Sequence, residues 1–342
     1  MRIGLAATAI LSLLLTFPAL GEPPTRATLA EGETGQMLFW SHTSTGPREF
    51  IFKTINVEKQ KSKAWGDLWL PKDGTAPYPA MILSHGSSGL LKLAEHYYTW
   101  ARHFTSMGVA VFVLDHFTPR GVKEVASDQL SFNEWTVATD VVYALRLLAT
   151  HPKIDKTKIG VVGFSKGGNA SLFSAFEVLQ EAIAGPDLRL ALHLPFYPNC
   201  NSFYLNMKPT KAPIIFLLGD KDENTPASEC VKYSAYLREL GATVETVVYP
   251  GAYHGFDFKG SRTSWVAGSQ NWGKCFKAYD PITRTMTRRD TGQKLDLEKK
   301  EDIAYSATCV SHGYTAGGDD RAREAALKRT QEAVLAAFFA AK

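Results

Sequence analysis

Beyond Leu20 the chain of 342 residues has no long apolar run, and it has only four cysteines and little excess charge. Each scarcity excludes something. A bilayer-spanning helix needs about 20 consecutive apolar residues, so no later segment reads as a membrane anchor. No two cysteines stand at CxxC spacing, and no pair of histidines or carboxylates has recognisable ligand spacing, so no metal site is expected. The 38 Lys and Arg are scattered among 34 Asp and Glu, for a net charge of +4, which argues against a nucleic-acid surface. No internal repeat is visible. With 45% apolar residues, the chain can bury a large core without staples.

The exception is the amino terminus. Met1-Arg2 precedes an apolar run from Ile3 to Leu20, broken by small residues, Thr16 and Pro18. It ends in Ala19-Leu20-Gly21 ahead of Glu22-Pro23-Pro24. That is the order of a secretory signal peptide over residues 1–21, with a periplasmic or secreted mature chain, 22–342, that keeps no stable membrane insertion. An even number of cysteines in an exported chain favours disulfides. Of the possible pairings, proximity in sequence points weakly to Cys200 with Cys230 and Cys275 with Cys309.

Short β-branched or aromatic runs alternate with longer segments of helical period, the pattern of an α/β fold. Strands are expected at Phe50–Val57, Trp65–Leu70, Ala80–Ser84, Val109–Leu114, Ile159–Gly163, Leu188–Leu194, Ile214–Leu218 and Val244–Tyr249. The first two read as an antiparallel hairpin at the sheet edge; the others, nearly all apolar, read as parallel strands covered on both faces. Helices are expected at about His96–Met107, Phe132–Thr150, Lys166–Ala182, Ala227–Leu240 and Arg321–Ala340. The result is a single α/β domain with a mostly parallel sheet of about eight strands and helices on both faces. Residues 257–312, polar but with aromatics at Trp265, Trp272, Phe276 and Tyr279, read as an insertion stapled by Cys275 and Cys309.

The strongest chemical signal is Ile159–Gly168, a strand running into Gly163-Phe164-Ser165-Lys166-Gly167 with a helix behind it. Such a turn projects a serine hydroxyl above the sheet, and the helix amino terminus beneath favours an oxyanion. A serine hydroxyl needs a base to remove its proton and a carboxylate to set that base's tautomer. Such a turn points to the α/β-hydrolase fold, in which they follow in the order Ser, acid, His. Asp222, in Gly219-Asp220-Lys221-Asp222 after an apolar strand, is the expected acid, with Asp220 as the alternative. His254, in Pro250-Gly251-Ala252-Tyr253-His254-Gly255-Phe256, is the expected base. Among the other histidines, His42, His151 and His312 read as surface residues and His193 as a buried one. Leu83-Ser84-His85-Gly86-Ser87-Ser88 reads as an oxyanion loop, with the N–H of Ser87 (or Ser88) and that of Lys166 as donors, and with His85 bracing the loop. Residues 116–121 and the insertion are expected to border the pocket.

These motifs, with Val111-Phe-Val-Leu-Asp115, Asp140 and Tyr249–Phe256, resemble the dienelactone hydrolase family over residues 65–260 and the last helix. The resemblance implies attack on small-molecule esters or lactones without a cofactor. Where the family's founding members carry cysteine, this chain has Ser165. A prolyl-oligopeptidase-like peptidase shares the motif and the chain order, but that group places a large domain ahead of the hydrolase, and here about 40 residues separate the leader from the first strands. A binding protein on an inactive hydrolase fold would lack a triad member, and none is missing.

Overall fold

A computed structural model describes residues 24–260 and 262–340; the expected leader lies outside the described residues. The strands of the main sheet are β1 (Thr25–Arg26), β2 (Gly35–His42), β3 (Lys61–Trp69), β4 (Tyr78–Ser84), β5 (Ala110–Asp115), β6 (Ile154–Phe164) and β7 (Leu192–Phe196). A short β8 (Ser202–Tyr204) lies outside it, and β9 (Ile214–Gly219) and β10 (Val244–Tyr249) complete it. Their order is β1-β2-β3-β5-β4-β6-β7-β9-β10, and β3 runs antiparallel to both neighbours while the rest pair parallel. This is the α/β-hydrolase architecture. The central strands β4, β5 and β6 carry residues such as Ile82, Phe112 and Val161, which are 0% exposed, because helices cover both faces.

The helices are α1 (Pro47–Ile51), α2 (Val57–Gln60), α3 (Ala94–Ser106), α4 (Glu134–Leu148), α5 (Lys166–Phe173), α6 (Glu177–Ala184), α7 (Ala227–Glu239), α8 (Glu301–Cys309) and α9 (Asp320–Val334). One core layer gathers Trp100 and Phe104 of α3 with Ala326 and Val334 of α9. On the other face Val141, Leu145 and Leu148 of α4 pack on β4–β6. None of these helices is long and apolar enough to cross a membrane.

Several expectations fail for physical reasons. Phe50–Val57 is not a strand: Pro47 starts a short helix, and Phe50 is drawn into the core against Trp135. The strand that pairs with β3 on the side away from β5 is Gly35–His42, whose Leu38 and Phe39 are buried. The expected helix over 166–182 breaks at Ser174–Phe176, because the neighbouring loop takes its backbone groups: Thr210 N–H donates to Ala175 and Glu177 N–H to Lys208. The expected strand at Leu188–Leu194 begins later and runs to Phe196. His42 and His151 are buried rather than exposed, His42 between Glu49 and Tyr143 and His151 against the backbone of Glu33 and Lys153. His312 is exposed and His193 buried, as expected.

The segment after His254 folds as small sheets: β11 (Ser264–Trp265) with β17 (Thr315–Ala316), β12 (Gln270–Asn271) with β16 (Ser311–His312), and β13 (Lys277–Asp280), β14 (Thr285–Arg288) and β15 (Lys294–Leu295) joined to β8. The cysteines pair by proximity, Cys200 with Cys230 and Cys275 with Cys309. The second bridge ties the connection between β12 and β13 to the end of α8. It closes a loop of 34 residues in sequence separation, and constraining the unfolded chain to that extent contributes about 3–4 kcal/mol. The double variant Cys275→Ser, Cys309→Ser is therefore expected to lose that much stability in denaturant melts. An equal melt for the double variant and the oxidised parent would show that the bridge does not stabilise the fold.

Candidate active site

Strand β6 ends at Phe164, and Ser165 follows with φ 55° and ψ −113°, a backbone conformation that non-glycine residues rarely hold. Its N–H donates to the Phe196 carbonyl at the end of β7. The flanking glycines answer to close approaches of backbone. A Cβ on Gly163 would stand 1.8 Å from the Gly167 carbonyl oxygen, and one on Gly167 would stand 2.1 Å from that of Ser84. The turn can be this tight only because neither residue has a side chain.

Across the sheet top, β9 ends in a turn built by Asp222. Its Oδ1 accepts the N–H groups of Asn224 and Thr225 at 3.0 and 2.8 Å, and its Oδ2 accepts the Thr225 hydroxyl at 2.8 Å. Oδ2 also meets Nδ1 of His254 at 2.7 Å, while Nε2 of the same ring lies 3.0 Å from Oγ of Ser165. Asp222 and His254 are buried and Ser165 is half-buried. Asp220 points elsewhere: it is exposed and accepts the Gly251 N–H at 2.6 Å. The structure therefore brings Ser165, His254 and Asp222 together and leaves Asp220 outside.

His254 is held from both sides. The Tyr197 ring lies 4.7 Å from it and the Tyr314 ring 5.3 Å, edge-on. Tyr197 is fixed in turn by donating its hydroxyl to Asp257 at 2.5 Å, and the buried Asp257 also accepts Trp100 Nε1 at 2.9 Å and faces His96 at 3.2 Å. Burial alone would raise the Asp257 carboxyl, but His96 and these donors outweigh it and hold it below the ordinary carboxylate range. Sequence reading placed Asp257 at the start of a polar insertion and missed this. The signal available was an acid flanked by two phenylalanines, Phe256 and Phe258.

The loop after β4 packs against the serine, so that a Cβ on Gly86 would lie 3.4 Å from that of Ser165. His85 braces it, as expected. The His116 N–H donates to His85 Nε2 at 3.1 Å and His85 Nδ1 meets the Gly86 carbonyl at 2.8 Å, so the proton sits on Nδ1. Ser87 lines the cavity over Ser165, whereas Ser88 does not. Among the described residues, neither the Ser87 N–H nor the Lys166 N–H donates to another protein group.

Residues 116–121 do not border that cavity as expected. They turn inward onto Asp140, which accepts two hydrogen bonds from Arg120 at 2.8 and 2.9 Å, one from Ser41, and Nδ1 of His116 at 2.8 Å. His116 Nε2 lies 2.7 Å from the Ser84 hydroxyl. The cavity wall comes instead from residues 129–134, with the insertion contributing Trp272, Lys277 and Asp302. Its volume is about 340 Å³. No group of His, Cys, Asp and Glu suited to a metal ion is present among the described residues.

The sequence profile of the dienelactone hydrolase family matches residues 68–283, more than half of the chain. Protein usf of Aquifex pyrophilus is 25% identical over 210 residues, covering 59% of this chain and 85% of that protein. A putative carboxymethylenebutenolidase of Aquifex aeolicus is 29% identical over 107 residues, 31% of this chain and 41% of that protein. Among solved structures, a putative dienelactone hydrolase from Klebsiella pneumoniae superposes with a TM-score of 0.44 at 20% identity, covering 65% of this chain and 88% of that one. The chain belongs to the dienelactone hydrolase family and is, by that membership, a carboxylic-ester hydrolase.

Proposed function

We propose that this chain is an exported serine hydrolase that cleaves esters or lactones through a covalent acyl-enzyme. Ser165 is the nucleophile, His254 the base and Asp222 the group that orients the base. The observation that carries the reading is the unbroken relay from Ser165 Oγ through His254 to Asp222, at 3.0 and 2.7 Å, opening on the cavity. Two disulfides suit an oxidising compartment and support the export reading.

The steps follow from the geometry. His254 Nε2 takes the Ser165 proton as Oγ bonds to the acyl carbon, and Asp222 stabilises the imidazolium that results. The acyl oxygen becomes an oxyanion and accepts from the N–H groups of Ser87 and Lys166. Return of the proton to the alcohol oxygen releases the alcohol. Water, deprotonated by His254, then breaks the bond between Oγ and the acyl carbon, freeing the acid and the serine.

Ser165→Ala is expected to abolish turnover of p-nitrophenyl acetate while leaving thermal melting within a degree or two of the parent. Retained turnover would place the nucleophile elsewhere. Asp222→Asn is expected to reduce kcat by something on the order of 10⁴-fold, because an amide favours the wrong tautomer of the base. Asp220→Asn touches only a loop N–H and should cost less than about tenfold. A reversal of that ranking would overturn the assignment of the acid. Proline-containing peptides in the same assay test the peptidase alternative, which requires their cleavage at rates above those of the esters.

A further inference from the structure

The wall of the cavity carries more polar groups than the ester reaction requires. Four asparagines line it: Asn133, Asn169, Asn199 and Asn224. Each commits its carbonyl oxygen to a backbone N–H, those of Trp135, Asn199, Asn201 and Trp272, at 2.8, 2.6, 2.9 and 3.0 Å. A backbone N–H only donates, so each amide can sit only one way round, with its NH₂ directed away from that bond. Among the described residues none of these NH₂ groups has a protein acceptor. Asn169 and Asn224 are 1% and 5% exposed, so their amide groups are set in the wall, not loose on a surface.

Charged groups complete the wall in balance. The buried Lys166 ammonium donates to the Gln129 carbonyl at 3.2 Å, and that of Lys277 to the Ser306 hydroxyl at 3.0 Å. Glu134 and Asp302 also line the cavity, and their carboxylates hold no hydrogen bond or ion pair among the described residues. Two cations and two anions leave the lining with no net charge, which favours neither an anionic nor a cationic ligand. An alkyl chain would bury the free amide donors and both carboxylates without hydrogen-bond partners, and a buried polar group left unpaired is costly. Hydroxyl groups, which donate and accept at once, pair with both kinds of wall. Trp272 and Tyr204 supply apolar surface beside them.

We propose that the alcohol half of the substrate is a neutral, polyhydroxylated ring of monosaccharide size, joined to a small acyl group. This rests on Ser165 being the nucleophile. The released polyol takes the proton that His254 removed from Ser165, and one water is consumed as the acid departs.

The test compares three acetates that differ only in the alcohol: methyl 6-O-acetylglucopyranoside, cyclohexyl acetate and O-acetylglycolate, with p-nitrophenyl acetate as the reference. The sugar acetate is expected to exceed both others by at least about tenfold in kcat/KM. The variants Glu134→Leu and Lys277→Met, checked by melting, are each expected to lower the ratio of sugar acetate to cyclohexyl acetate by several-fold. A preference for the cyclohexyl or the anionic ester overturns the proposal, and so does a ratio that neither variant moves. If p-nitrophenyl acetate is not hydrolysed, or its hydrolysis survives Ser165→Ala, the nucleophile assignment fails and this inference falls with it. Serine-dependent hydrolysis with a flat alcohol profile removes this inference alone.

Discussion

The left-handed backbone at Ser165 is the constraint around which the centre of the molecule is arranged. Such a conformation costs on the order of 1–3 kcal/mol and persists only where neighbouring structure overdetermines it. Here the restraint comes from three strands at once. The end of β6 delivers the residue, the last carbonyl of β7 receives its N–H, and the last carbonyl of β4 lies where a side chain on Gly167 would have to go. Strand β7 therefore has to extend to Phe196, and α5 has to begin at Lys166 beneath the turn.

A second arrangement of serine, histidine and aspartate stands in the same molecule. Ser84, His116 and Asp140 connect at 2.7 and 2.8 Å, distances like those of Ser165, His254 and Asp222, yet all three are 0% exposed. Asp140 is moreover paired with Arg120, which together with His116 outweighs the effect of burial and keeps its carboxyl low. No substrate reaches this cluster, and its place directly before His85 makes it a brace for the loop that carries Ser87. Chemical connectivity alone does not distinguish the two; solvent access and the strained turn do.

The central strands and the Ser165, Asp222 and His254 positions were legible because each is local: an apolar run, a glycine-rich turn, and a fixed order along the chain. The choice of Asp222 over Asp220 was legible only as a spacing, and becomes physical in the two N–H groups that Asp222 gathers and Asp220 does not. What was not legible depends on contacts distant in sequence. Phe50 joins a core with Trp135, and His42 finds Glu49 and Tyr143, so a run that reads as a strand becomes the end of a short helix and a loop, and a histidine that reads as exposed becomes buried. The orientations of Asn169 and Asn224 are of the same kind, since they are set by the N–H groups of Asn199 and Trp272, which reach them from other loops.

One of those asparagines joins two parts of the molecule that otherwise have separate tasks. The N–H of Asn224 is held by Asp222, and its side-chain oxygen receives the Trp272 N–H from the insertion. The roof over the cavity is thus hinged to the same three-residue turn that carries the acid. A replacement roof has to return a backbone N–H to that point, besides keeping the pairing of β13 with β8. Any cover the fold adopts in its place would be spliced to the main domain at several points, and one of those splices lies within hydrogen-bonding distance of the relay.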